Sequence, residues 1–229
     1  MLPKAVNSLV ILSIEQLRLW LSLLNEEEHH SMKALWEKYN PKDSPLSVNR
    51  FANGIRNELR EIGAKFVAHR ITAQQWYDET RRLMKLSYQI VIDKQTPHPD
   101  NTKVVEAVIV YFLLLNKFAS GIADGEIPLD GHIAPRTGMY GSSVYSVAKN
   151  WELFGWFGQD MECRRVLGPN ENHCHTDRDT EGCPELAAKG WMPVEQMTPI
   201  SEATCRSNCL CTLEYRKKKP QTLLSDLLD

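Results

Sequence analysis

The chain has 229 residues, a net charge of -2, and 42% hydrophobic against 24% charged residues. That length can bury roughly 70% of its unfolded surface, enough for a real core. The balance excludes a disordered polyelectrolyte and a bulk-basic nucleic-acid binder. Near the N-terminus, the apolar run Ser8–Leu12 is short and is followed by Glu15 and Arg18 without a small-x-small cleavage site. It reads as part of a soluble chain and not as a secretory signal.

Ser13-Ile14-Glu15-Gln16 fits a capping box, in which side chains satisfy the first orphan backbone donors of a helix. Leu17, Trp20, Leu21, Leu24, Leu35, Trp36 and Tyr39 follow, so a first helix is expected from Ser13 until Asn40-Pro41 stops it. The run Glu26-Glu27-Glu28-His29-His30 is read as a solvated helix face rather than a metal site.

A second helix is expected after Ser47, with Phe51, Ile55, Leu59, Ile62 and Phe66 in one apolar stripe. Gly54 and Gly63 either weaken it or let another helix come close. Thr72-Ala73-Gln74-Gln75 is a second capping box and opens a third helix, with Trp76, Leu83, Met84 and Ile90 facing the core.

After the break at residues 96–101, a fourth helix should run from Thr102 to Phe118. It is apolar nearly all round, the pattern of a central buried helix. Its run Val104–Leu115 is 12 residues long, contains Glu106 and is too short to span a bilayer. Ser120–Thr137, rich in Gly, Pro and Asp, is expected as a long partner-facing loop. A fifth helix is expected over Gly138–Phe157, with Tyr145, Val147, Trp151, Leu153, Phe154 and Trp156 packed as core rather than stacked on bases. His69 and His132 have no partner motif and are read as structural or exposed.

All six cysteines fall between Cys163 and Cys211. His173-Cys174-His175, Cys183 and Cys205-x3-Cys209-x-Cys211 place thiols a few residues apart on loops rich in Gly, Asn and Pro. A tetrahedral zinc site needs such an arrangement. The candidate ligands are four of Cys174, Cys183, Cys205, Cys209 and Cys211, with His173 or His175 as substitutes for one thiol. Disulfides and plain buried thiols are the alternatives, and a reducing cytosol favours metal.

Cys209 and Cys211 would point to opposite sides of an extended segment, so a knuckle would use two of the last three cysteines. Cys163 stands apart. Neither a His-Glu-x-x-His motif nor a deaminase pattern occurs, so the zinc is expected to be structural and the protein is not expected to be an enzyme.

Cys211–Tyr215 alternates as a short strand would. Lys217-Lys218-Lys219-Pro220 then reads as a linker, and Leu223, Leu224, Leu227 and Leu228 form a tail too short to be stable unless it docks on a partner or on its own body. The chain is thus expected to be mainly α. It divides into a helical domain over 1–158, a cysteine-rich zinc module with a short β element over 159–216, and a linker and docking tail over 217–229.

Glu162-Cys163-Arg164-Arg165-Val166-Leu167-Gly168 is followed by His173-Cys174, Cys183-Pro184-Glu185-Leu186-Ala187-Ala188-Lys189-Gly190-Trp191, Pro199-Ile200 and Cys205-x3-Cys209-x-Cys211-x-Leu213. This series resembles the C-terminal module of the tailed-bacteriophage minor head, or head morphogenesis, proteins (Mu F-like). The likeness is specific over residues 162–216; over the helical part it is one of layout. In that family the first cysteine pair is usually close, whereas here Asp177–Gly182 lengthens the gap. The first residue of the last group is often His, where this chain has Cys205.

The resemblance implies a virion structural or assembly protein that contacts phage capsid or portal subunits and possibly itself. It would lie in the phage head, and in the host cytoplasm during assembly. No membrane is involved. The second reading is a zinc-ribbon-type nucleic-acid-binding phage protein, with Arg164, Arg165 and Arg206 as its basic cluster; the charge does not indicate it. A metal-dependent hydrolase or nuclease is the third, lacking an identifiable general base.

Overall fold

The computed structural model describes residues 25–39, 48–93, 102–169, 173–205 and 209–218. The protein is mainly helical, with a small three-stranded sheet toward the C-terminus. It divides into two compact units, Met1–Glu152 and Leu153–Asp229. The expected capping box at Ser13 and the Leu-rich tail lie outside the described residues.

In the first unit, α1 spans Glu26–Tyr39. A continuous helix from Ser13 is not what forms, because Asn25 is non-helical and caps a new start. Its Oδ1 accepts from Glu28 N at 2.8 Å, and its own N donates to Glu28 Oε2 at 3.2 Å. This is a capping box at Asn25–Glu28. It also corrects the acidic run. Glu26, Glu27, His29 and His30 are exposed, but Glu28 is buried and accepts from Lys85 Nζ at 3.1 Å through both oxygens.

Helix α2 (Val48–Val67) buries the expected stripe of Phe51, Ile55, Leu59, Ile62 and Phe66. Helix α3 (Ala73–Asp93) starts on the Thr72 box, with Gln75 N donating to Thr72 Oγ1 at 3.1 Å and Thr72 N to Gln75 Oε1 at 2.8 Å. Trp76, Met84 and Ile90 are buried as expected, whereas Leu83 is half-buried.

Helix α4 (Thr102–Ala123) runs further than its apolar pattern suggested and is not buried all round. Val108, Ile109, Phe112, Leu115, Phe118 and Ile122 face inward, while Val110, Leu113 and Leu114 are exposed. A helix in a single layer of neighbours can bury only part of its circumference, however apolar the rest is.

The segment expected as a long loop is the largest departure. Within it, Ile133–Met139 forms a short helix, α5, packed against α2. Ile133, Thr137 and Gly138 are buried. Seven residues carry too little periodicity to stand out, and Pro135 sits in the first turn, where it costs no hydrogen bond. The approach is close because Gly63 lies on α2: a Cβ there would stand 2.8 Å from Ala134 Cα. Of the two roles foreseen for that glycine, close approach is the one realised.

Trp76 joins the layers. It stacks on Phe66 at 5.2 Å, meets Phe118 edge-on at 5.7 Å and donates Nε1–H to Thr137 Oγ1 at 3.1 Å. Helix α6 (Ser142–Gly155) follows and buries Tyr145, Val147, Trp151, Leu153 and Phe154, with Trp156 half-buried just beyond it. His69 and His132 are both exposed.

In the second unit, β1 (Met161–Val166) is the central strand of an antiparallel sheet ordered β2-β1-β3, with β2 at Met192–Pro193 and β3 at Thr212–Lys217. A six-residue helix, α7, covers Cys183–Ala188. On one sheet face the charges alternate across the strands. Arg164 pairs with Glu214 and Arg216 with Glu162, each at 2.7 Å, and both guanidinium groups lie over the Trp191 ring at 4.9 and 4.2 Å. The other face carries Cys163 and Arg165 inward, as strand alternation requires.

Candidate metal centre

The cysteine loops are assembled by short-range backbone chemistry. After Cys174 the chain turns back on itself through an antiparallel bridge, Asp177 and Thr180 exchanging two hydrogen bonds at 3.0 Å, with Arg178 in the left-handed region at φ 52°. The extra residues between Cys174 and Cys183 are therefore a small hairpin. It delivers Cys183 N to Cys174 O at 3.0 Å, which closes the gap that the sequence spacing left open. Gly182 is required at this crossing, since a Cβ there would lie within 3.0 Å of Cys174 O and the His175 backbone. Thr204 ties the second cysteine segment to the hairpin, its N and Oγ1 both donating to Glu181 O at 3.1 Å.

Three of the six sulfurs gather at this point, with Cys205 and Cys174 beside them. Cys183 Sγ lies 3.3 Å from Cys205 Sγ and 3.4 Å from Cys209 Sγ. Cys183, Cys209 and Cys211 offer sulfurs all within 4.8 Å of one another, and all three are buried. Cys174 joins from the exposed side through a hydrogen bond to Cys205, which together with burial raises its pKa. Four thiolates bound to zinc at about 2.3 Å stand about 3.8 Å apart, whereas bonded sulfurs are about 2.05 Å apart. The observed spacing lies nearer the ligand value than the bonded one, so the cluster could hold a metal ion.

The expectation that Cys209 and Cys211 point apart is overturned. Strand β3 begins only at Thr212, so the Cys209–Cys211 stretch is not extended strand and both thiols turn to the same point. Gly168 supports this turn. Its backbone N–H bonds the Cys211 sulfur, and its lack of a side chain admits Leu210 O, which a Cβ would meet at 2.7 Å.

Electrostatics within the trio are lopsided. Hydrogen bonds from Cys183 and Cys209 hold the Cys211 thiol down to about 3, with the Gly168 amide and the Arg165 charge adding to the effect. Cys209 is pushed far up, first by its bonds to Cys183 and Cys211. Within the trio, Cys211 is the thiol favoured as the acceptor and Cys183 and Cys209 are its donors. A divalent cation would take the place of the shared protons and let the other sulfurs ionise.

The remaining candidates lie outside this group. Cys163 is fully buried on β1, where burial raises its pKa to about 11. His175 is exposed and engages Glu185 at 2.9 Å, the contact that chiefly lowers the Glu185 pKa. His173 is half-buried. The sequence places Arg165 in a basic cluster and misses its position here, a buried guanidinium whose Nη1 donates to Cys183 and Cys209. Only the inward phase of a six-residue strand marks it, and that phase is not readable from Met-Glu-Cys-Arg-Arg-Val.

The residues present fit a metal ion: Cys183, Cys209 and Cys211 supply three buried sulfurs that could hold one, and Cys205 lies next to Cys183. No protein-family model, curated protein or solved structure matches the chain. Among the described residues no helix is long and apolar enough to cross a membrane.

Proposed function

We propose that this chain is a structural and assembly protein of a tailed-phage head, a minor capsid or portal-associated head morphogenesis protein whose C-terminal unit is braced by structural zinc. The carrying observation is the convergence of Cys183, Cys209 and Cys211, with Cys205 beside Cys183, residues on which the likeness to the minor head family rests. A thiolate-rich set suits zinc and suits a structural role. A sheet with one two-residue strand and a helix of six residues buries little, so metal binding would supply folding energy that its side chains do not. The protein would act through protein–protein contacts with capsid or portal subunits, in the host cytoplasm during assembly and then in the head.

The nucleic-acid reading is less well supported. Arg164 is ion-paired and stacked, and Arg165 is buried, so neither is offered as a basic face; Arg206 lies outside the described residues.

The first test is the metal content of full-length protein purified without added metal, with thiol titration in denaturant. Near one zinc per chain and six reduced thiols supports the brace; no metal with oxidised thiols removes it. Sedimentation with heads assembled from the capsid and portal subunits of its phage tests the assembly role. Zinc-loaded chain that stays out of the particles but binds DNA in a salt-dependent way overturns that role.

A further inference from the structure

We propose that Arg165 is the positioning residue of the metal centre, its buried guanidinium balancing the charge of the sulfur ligands and orienting Cys183 and Cys209. This rests on the reading of the cysteine cluster as a metal site.

The argument starts from the cost of the arginine. A guanidinium does not lose its proton in a protein. Burying a charge is expensive unless an opposite charge stands beside it. Arg165 is 2% exposed, on the inward face of β1. Its Nη2 donates to Thr198 O at 2.5 Å and Pro199 O at 3.4 Å. Those carbonyls satisfy donors, yet they carry no charge. Its Nη1 donates to Cys183 Sγ at 3.6 Å and Cys209 Sγ at 3.8 Å. Among the described residues no carboxylate pairs with it. Among the described residues, the groups beside it that can carry a compensating charge are the sulfurs.

A metal-bound set places that charge on Cys183 and Cys209 themselves, the two sulfurs the guanidinium faces. Three thiolates on a divalent ion leave one negative charge and four leave two, so a single guanidinium cancels one. Hydrogen bonds from outside the ligand shell fix ligand orientation and tune the metal. Arg165 makes two such bonds at once, to ligands from different segments: Cys183 on α7, and Cys209 just before β3. The same side chain is anchored to the 198–199 turn. It thereby holds both sulfurs at a set distance from the sheet.

The test is cobalt substitution of the full chain, comparing wild type with Arg165→Met and Arg165→Lys. A hydrogen bond to a metal-bound thiolate lowers the energy of its lone pairs, so the sulfur-to-cobalt charge-transfer band moves to higher energy. Arg165→Met should shift that band to longer wavelength and weaken metal binding about 10–100-fold in competition with a chelator. Arg165→Lys, which keeps the charge but not the fork, should recover most of the affinity.

An unshifted band and unchanged affinity in Arg165→Met overturns the proposal while leaving the metal site standing. So does an Arg165→Lys variant as impaired as Arg165→Met, because packing would then be the cause. If Arg165→Met does not fold, Arg165→Lys decides: a loss approaching a hundredfold overturns the charge argument. A wild-type chain with no sulfur-to-cobalt band at all removes the metal reading itself.

Discussion

Gly182→Ala is a sharp local test of how the cysteine hairpin closes. The glycine has φ -83° and ψ 164°, a conformation any residue adopts, so backbone strain plays no part. Space decides the outcome. An added Cβ would stand closer than 3.0 Å to Cys174 O and the His175 backbone, while ordinary contact begins at 3.4 Å. The strands of the hairpin must therefore part at this crossing by more than the few tenths of an ångström a neighbour can give. The Cys183 N to Cys174 O bond, now 3.0 Å, is then lost. Overpacking costs about 1–3 kcal/mol and the lost bond about 0.5–1.5 kcal/mol, so about 2–4 kcal/mol in all.

In a unit this small that lowers the melting temperature by roughly 10–25 °C. All six cysteines belong to the second unit, so the temperature at which thiols react with a disulfide reagent reports that unit alone. Gly131→Ala is the control, because a Cβ there meets nothing within 4 Å. A Gly182→Ala protein whose thiols become reactive within 2–3 °C of wild type, on this roughly 4–8 °C per kcal/mol scale, would refute the packing argument.

Three further outcomes follow from buried polar groups. Glu28→Ala leaves Lys85 inside the helical unit without its carboxylate and removes a cap, and should cost about 3–5 kcal/mol in urea unfolding; a loss below about 1 kcal/mol would mean the pair is not buried in solution. Thr137→Val removes the acceptor of Trp76 Nε1 and should cost about 1–3 kcal/mol, with Thr137→Ser nearly neutral. Cys163, with its pKa raised to about 11 from 9.0, stays a thiol in the folded state after the unfolded chain has ionised. Its contribution is complete below pH 9 and is lost as pH rises to 11, so Cys163→Ala should flatten the alkaline decline in stability over that window; equal slopes would count against a buried thiol.

The helical body was legible wherever periodicity was long and caps were local. The stripe Phe51–Phe66 and the Thr72–Gln75 box each specify an element from neighbours within a few residues, and both form as read. The concentration of cysteines after residue 162 likewise announced a thiol cluster near the C-terminus, because spacing of thiols is itself sequence.

Long-range packing decided the rest. Helix α5 exists because Gly63 on α2 leaves room for Ala134 and Trp76 needs Thr137 as its acceptor, relations between residues 61 and 71 positions apart. Glu28 is buried because Lys85 waits 57 positions away. In the second unit, residue types named the possible ligands, but only the folded chain brings Cys209 and Cys211 to one point and sets Arg165 beside Cys183 and Cys209. A strand's inward phase and a turn's direction depend on what they pack against. Composition and spacing carry which groups can bind; tertiary structure alone carries where their charges meet.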